Sequence, residues 1–236
     1  MSCWSPWQIE SRLKKENEAQ CIISHETIYR YIYSDYRIRN QFLKKLRRKH
    51  FVRIKCRARK PRVPKDMLIH ARPSFINERV EFGHGECDLM LFKRGITNNL
   101  ITLRERKTRY MIAIKNENKT ASGTALAIIS TLKNIKQYVK SITVDQGGEF
   151  NKYSWIKECI GADFYFCEPS LPYQKGAIEN GNGVIRAELP RDCNINLLKQ
   201  RQISKIITEI NNRPQKCLDY AAPQEVFMAL KAVASS

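Results

Sequence analysis

The chain has 236 residues, of which 42% are apolar and 28% charged, enough to bury the core of one medium domain plus a small one. Its 42 Lys and Arg outnumber 23 Asp and Glu, and the net charge of +19 favours nucleic acid or an anionic membrane surface as partner. No stretch approaches the roughly 20 apolar residues of a membrane-spanning helix, and the N-terminus lacks a signal-peptide core. We therefore expect no membrane partner and a cytoplasmic, nucleoid-associated protein.

The eight cysteines include no C-x-x-C pair, and the four histidines are scattered along the chain. A zinc site needs ligands clustered at short spacing. The pattern predicts reduced cysteines in a cytosolic protein.

Two short helical patterns open the chain. Ser5 and Gln8 form a capping-box signature around Pro6, and a second pattern begins at Ser24. Two helices joined by a turn predict a helix-turn-helix-like DNA-binding segment over residues 1–36, although any small helical pair has a similar pattern. We expect Trp4 and Trp7 to be core residues because of their size.

A cationic arm is predicted over residues 37–80. Residues 37–65 contain 14 basic side chains and no acidic one. Such a segment is typical of phosphate contacts. The predicted DNA-binding residues of the arm are Arg47, Arg48, Lys49, Arg57, Arg59 and Lys60.

Strands and helices alternate from residue 81 to the end of the chain. The patterns predict strands at 87–92, 99–106, 110–116, 141–145 and 163–166, with helices at 121–138, 151–161, 174–189 and 198–212. This order predicts an α/β fold over 81–236, a ribonuclease H-like mixed sheet flanked by helices.

Three acidic residues stand at element positions where functional sites tend to form. Asp88 interrupts an apolar strand, and a buried carboxylate there is costly without a compensating cation. Asp145 ends a strand and precedes two glycines, while Glu179 lies on a helix. The alternative is that Asp145 is a turn residue and Glu179 a solvated helix acid.

Three carboxylates held together favour a bound divalent cation, because the cation offsets their mutual repulsion. Two Mg²⁺ or Mn²⁺ ions about 4 Å apart can activate an attacking hydroxyl and stabilise the leaving oxygen of a phosphodiester. The trio therefore predicts metal-dependent phosphodiester chemistry.

Several sequence blocks resemble the bacterial transposases of IS family 30. They are GHGECDLM, RERKTRYMIAIK, ITVDQGGEF, YFCEPSLPYQKGAIENGNGVIRAELP and INNRPQKCLDYAAPQEVF, and they span residues 83–227. The resemblance implies a retroviral-integrase-like fold with an Asp-Asp-Glu active site at Asp88, Asp145 and Glu179. It also implies Mg²⁺ or Mn²⁺, two ions with DNA bound, and a homo-oligomer acting on terminal inverted repeats and target DNA.

DNA contacts beside the carboxylates are predicted at Arg186, Lys175, Asn180 and Asn182. The resemblance implies a basic residue at 186 and asparagines at 180 and 182. A solvated charge at Arg186 and local capping by the asparagines are the alternatives.

The chain departs from the family pattern at four positions. Gly85 replaces a tryptophan, Cys87 a glycine, Gln146 an arginine and Tyr173 a tryptophan. We expect a gap at Gly85 if that ring is buried in relatives. The short segment before the first helix further suggests an N-terminally truncated or decayed element. A catalytically silent DNA-binding protein is therefore the alternative function, and an RNA-cleaving nuclease is a third.

Overall fold

The computed structural model describes residues 4–16, 23–34, 63–93, 95–168 and 172–234. At its start lie helices α1 (Pro6–Glu16) and α2 (His25–Ser34). The predicted capping box is confirmed, since Ser5 N donates to Gln8 Oε1 at 2.8 Å and Gln8 N donates to Ser5 Oγ at 3.3 Å. The predicted turn between the helices falls largely on residues 17–22, outside the described residues.

The prediction of a core position for Trp7 is wrong. Its side chain is 51% exposed and stacks on the ring of His25, with the ring centroids 3.6 Å apart. An aromatic ring that finds a flat partner on a neighbouring helix needs no enclosed site.

Residues 63–80, which the sequence assigns to the arm, form short helical turns and helix α3 (Ser74–Glu78). Leu68, Ile69 and Ile76 are buried there, and Leu68 makes a β-bridge to Phe166. This end of the predicted arm therefore packs against the domain that follows it. The basic residues at 47–49, 57, 59 and 60 lie outside the described residues.

Five strands form one mixed sheet in the order β3-β2-β1-β4-β5. The strands are β1 (His84–Met90), β2 (Asn99–Glu105), β3 (Met111–Asn116), β4 (Ser141–Val144) and β5 (Asp163–Phe166). Strands β1 to β3 are antiparallel, while β4 runs parallel to β1 and to β5. Every predicted strand is confirmed, although β1 begins three residues earlier than predicted because 84–86 pair with β4.

Helices cover both faces of the sheet. They are α4 (Ala121–Leu132), α5 (Tyr153–Ile160), α6 (Gly176–Glu188), α7 (Gln200–Asn211) and α8 (Pro223–Val233). The helix predicted over 121–138 is α-helical only to Leu132 and continues as a 3-10 segment with a kink at Ile135. Helix α8 has no counterpart among the predicted helices.

Two hydrophobic clusters divide the core between the two faces. Cys87, Ile101 and Leu103 pack with α4 and α5, whereas Met90, Leu100 and Met111 pack with α6 and α7. Successive strand residues point to opposite faces, so Glu86, Asp88 and Met90 share the face covered by α6. The fold thus turns Asp88 towards the helix that carries Glu179.

Candidate active site

Asp88 lies in the second half of β1 with its carboxylate partly exposed. Its Oδ1 accepts a hydrogen bond from Lys175 Nζ at 2.9 Å, and its Oδ2 accepts one from Asn182 Nδ2 at 2.8 Å. Both donors come from α6 and the residue just before it. The compensating cation that a carboxylate in an apolar strand requires is therefore a lysine in this structure.

Asp145 follows directly on β4, the parallel neighbour of β1. Its Oδ1 accepts a hydrogen bond from Gly147 N at 3.1 Å, and its Oδ2 lies 3.6 Å from Lys175 Nζ. Because β1 and β4 run in the same direction, residues near their carboxyl ends share one edge of the sheet. Asp88 and Asp145 therefore meet at one ammonium group.

Lys175 is the residue that joins the two aspartates. Its side chain is 10% exposed, and Nζ also lies 3.4 Å from the carbonyl oxygen of Cys87. Burial alone lowers the pKa of Lys175, but the neighbouring carboxylates of Asp88 and Asp145 raise it by more, to about 12. The ammonium therefore stays charged at neutral pH and offsets one of the two negative charges of the pair.

Glu179 occupies the first turn of α6 and is exposed. Within the described ranges, no group of three or more His, Cys, Asp or Glu side chains is arranged to hold a metal ion. The structure thus brings Asp88 and Asp145 together and leaves Glu179 outside that pair, on the adjacent helix. The donor set still suits a hard divalent cation, because two carboxylates already converge on one positive charge.

The remaining predicted residues on α6 lie around this pair. Asn182 contacts Asp88 directly, whereas Asn180 Oδ1 lies 3.5 Å from Arg104 Nη1. Arg186 Nη2 donates to the carbonyl of Leu91 at 2.6 Å, and its guanidinium lies 4.7 Å from the centre of the Phe92 ring. Their roles towards DNA stay predictions.

Two further carboxylates, absent from the predicted set, lie beside the predicted ones. Glu86 is 1% exposed and binds both Arg106 and the first turn of α6. Glu149 is 8% exposed, with Lys119 Nζ at 3.6 Å from its Oε1. The sequence contained a signal for each of these residues. Glu86 lies two residues before Asp88 and therefore on the same face of the strand, and Glu149 follows Asp145 within the same loop.

Gly85, where the sequence predicts a gap, borders a small cavity. A cavity of about 50 Å³ is lined by Gly85 together with Leu103, Leu132, Ile142 and Phe227. A Cβ atom built on Gly85 would lie 3.8 Å from its nearest neighbours, so the backbone leaves room for a side chain. Of the other departures, Gln146 donates to the Cys167 carbonyl at 3.0 Å, and the side chain of Tyr173 lies outside the described part.

The fold resembles that of integrase catalytic cores. The catalytic core domain of BIV integrase in one of its crystal forms superposes with a TM-score of 0.53 at 14% identity, covering 66% of this chain and all of that one. The mixed five-stranded sheet with its flanking helices thus defines an α/β protein of the ribonuclease H-like, integrase-type class. No protein-family model matches the chain.

Similar sequences identify the family. The transposase of insertion sequence IS1086 from Cupriavidus metallidurans is 31% identical over 97% of this chain and 70% of its own length. The IS4351 transposase from Bacteroides fragilis is 34% identical over 95% of this chain and 69% of its own, and transposase InsI of IS30A from Escherichia coli is 30% identical over 95% and 61%. The chain belongs to this family of bacterial insertion-sequence transposases.

The described residues contain no helix of the length and apolar character needed to cross a membrane.

Proposed function

We propose that the chain catalyses divalent-metal-dependent phosphodiester cleavage and strand transfer at the ends of an insertion sequence. The observation that carries this proposal is the convergence of Asp88 and Asp145 on one buried cation at the shared edge of β1 and β4. Membership of a transposase family and an integrase-type fold support the same reaction class. A catalytically silent remnant of such a transposase would share both features, and no observation on the described residues specifically favours that alternative.

Asp88, Asp145 and Glu179 are the residues proposed to hold Mg²⁺ or Mn²⁺. Bound divalent ions would lower the pKa of an attacking hydroxyl and stabilise the leaving oxygen of the phosphodiester. Asn182 would orient the Asp88 carboxylate for such an ion through its 2.8 Å hydrogen bond to Oδ2, while Oδ1 accepts from Lys175. Glu179 on the neighbouring helix supplies the third carboxylate.

Lys175 has a second role in this proposal. Its ammonium lies between the two aspartates and offsets part of their negative charge. With a divalent ion offsetting that charge instead, the ammonium would be available to a DNA phosphate, the contact predicted from the sequence. Arg186, held against Leu91 and Phe92, lies on α6, which begins directly after Lys175, and is the second basic residue proposed to contact DNA here.

The proposed substrates are the terminal inverted repeats and target DNA. The net charge of +19 suits a protein that contacts many phosphates, with the basic run at 37–65 and the helices at 1–36 as further DNA-binding segments. We further propose a homo-oligomer, since joining two element ends requires two sites acting together.

Aspartate-to-asparagine substitutions test the proposal. Asp88→Asn and Asp145→Asn each remove one carboxylate charge while keeping its shape, so both should abolish cleavage and strand transfer of a labelled terminal-repeat duplex with Mn²⁺. The matched control is Asp163→Asn, because Asp163 is an exposed aspartate whose carboxylate pairs with Lys157 at the surface. Wild-type activity in Asp88→Asn would overturn the proposal.

A further inference from the structure

Helix α6 carries Glu179, and its first turn has no local cap. The residue at the N-cap position, Lys175, makes no capping hydrogen bond, because an ammonium group has no acceptor for a backbone N–H. The first N–H groups of a helix need acceptors when they are buried. The acceptor for this helix must therefore come from elsewhere in the fold.

Glu86 on β1 supplies that acceptor. Its Oε2 accepts a hydrogen bond of 2.8 Å from the backbone N–H of Ile178, the third residue of α6. A carboxylate at a helix N-terminus also interacts favourably with the helix dipole. The side chain of Glu86 is 1% exposed, so this hydrogen bond is screened from water.

The second oxygen of Glu86 is bound by Arg106, which satisfies the buried charge. Arg106 is itself fixed, because its Nε donates to the Ile76 carbonyl at 3.2 Å. Arg104, the cross-strand partner of Glu86, donates from Nη1 to the Ala177 carbonyl at 2.6 Å. Two buried charged residues on neighbouring strands thus hold the first turn of α6.

We infer that Glu86 is a positioning residue of the active site, which caps α6 from β1 and so fixes Glu179 relative to Asp88. Asp88 lies two residues beyond Glu86 on the same face of the strand, and Glu179 directly follows the capped residue Ile178. The hydrogen bond between Glu86 and Ile178 therefore joins the two elements that carry these carboxylates, in addition to the one from Asn182 to Asp88. The inference rests on the proposed function for its catalytic consequence, but the cap itself can be measured separately.

Glu86→Gln in the full chain tests the inference. The amide removes the charge that attracts both the helix N-terminus and Arg106. Mn²⁺ affinity, measured by electron paramagnetic resonance, should fall roughly 10- to 100-fold, as for other residues that orient metal ligands. The Ile178 amide should exchange with solvent about tenfold faster or more, while amides of α5 keep their protection.

Glu105→Gln is the matched control. Glu105 also accepts hydrogen bonds from backbone N–H groups, those of Gly83 and Thr108, but at the turn after β2 rather than at α6. This variant should keep wild-type Mn²⁺ affinity and Ile178 protection. If Glu86→Gln does not fold, the double variant Glu86→Gln/Arg106→Gln removes both buried charges and is measured in the same way.

If Glu86→Gln, or the double variant in its place, folds and shows wild-type Mn²⁺ affinity and wild-type Ile178 exchange, the inference is overturned. A uniform rise in exchange across the chain would overturn it too, because that result indicates a general loss of stability. Asp88→Asn separates the two proposals. If it leaves Mn²⁺ affinity unchanged, the proposed metal site fails, and exchange at Ile178 still decides whether Glu86 holds α6.

Discussion

Gly147 lies where a single methyl group would meet two carboxylates. A Cβ atom at this position would lie 2.6 Å from Glu149 Cδ and 2.9 Å from Asp145 Oδ1. The ends of flexible side chains can move aside at little cost in stability, but here the moving groups are the carboxylates themselves. A glycine is therefore needed at 147 to leave the Asp145 carboxylate in place. It is not needed for an unusual backbone angle, since the φ angle of Gly147 is −70°.

Gly147→Ala should therefore impair the reaction more than the fold. We expect a melting temperature within about 4 °C of wild type, roughly 1 kcal/mol for a chain of this size, but a clear loss of Mn²⁺ affinity and strand transfer. Gly148→Ala is the control, because its Cβ would have only Asn151 Nδ2 nearby, at 3.9 Å. Equal activity of the two variants would show that Asp145 tolerates displacement.

At the scale of elements, Gly181 sets how closely α6 approaches the sheet. A Cβ atom there would lie 2.7 Å from Met111 Sδ and 3.1 Å from Arg104 Nη1, and both side chains are buried against the sheet, so neither has free space to move into. Gly183, two residues further along the same helix, is exposed, and a Cβ atom added to it would have no neighbour within 4 Å. Replacing either glycine by alanine raises helix propensity by the same amount. Only at Gly181 does the added methyl group also contact the sheet, so the difference between the two variants measures that contact.

Gly181→Ala should destabilise the protein by about 1 to 3 kcal/mol through overpacking, whereas Gly183→Ala should stabilise it by about 0.5 to 1 kcal/mol through helix propensity. Urea unfolding of both variants measures the difference. If both substitutions stabilised the protein, close packing of α6 against β2 and β3 would be refuted.

For the whole molecule, a contact between the two ends of the described chain joins α1 to α8. Arg12 donates to both carboxylate oxygens of Glu225, at 3.0 and 2.8 Å, and Lys15 Nζ donates to the Asp219 carbonyl at 3.3 Å. Glu225 also accepts from the N–H of Ala222 at the start of α8. The hydrogen bond from Arg12 is the main cause that lowers the pKa of Glu225.

Because this pKa is lowered in the folded state, the contact contributes stability above the ordinary glutamate pKa and loses it as pH falls. Glu225→Gln keeps the capping acceptor but removes the ion pair. Amide exchange in α1 should therefore rise by up to about fivefold at pH 7, matching the roughly 1 kcal/mol limit of an exposed pair, while core amides keep their protection. The difference from wild type should shrink in acid. A variant with unchanged α1 exchange at pH 7 would contradict the docking role.

Much of the fold was predictable because it depends on local patterns. All five strands follow from apolar runs between turn residues, and Gly161 ends α5 in the left-handed conformation expected of a helix-terminating glycine. The end of α4 at Leu132 and the kink at Ile135 do not follow from such patterns. Helix α8 carries a local start signal that the prediction missed, since Pro223 is its first residue and Glu225 accepts from Ala222 N, and its Phe227 stacks on Tyr110.

The sequence by itself determined the family, the integrase-type fold and the candidate acids, because blocks of residues and strand periodicity are properties of the chain. Only the tertiary structure decided which charges meet. Lys175 lies 87 residues from Asp88 in sequence yet binds its carboxylate, and Glu86 caps a helix 92 residues away. Such pairings arise because α6 packs against β1, next to the parallel strand β4. A buried charge needs a partner of opposite charge or a hydrogen bond, and the fold decides which residue supplies it.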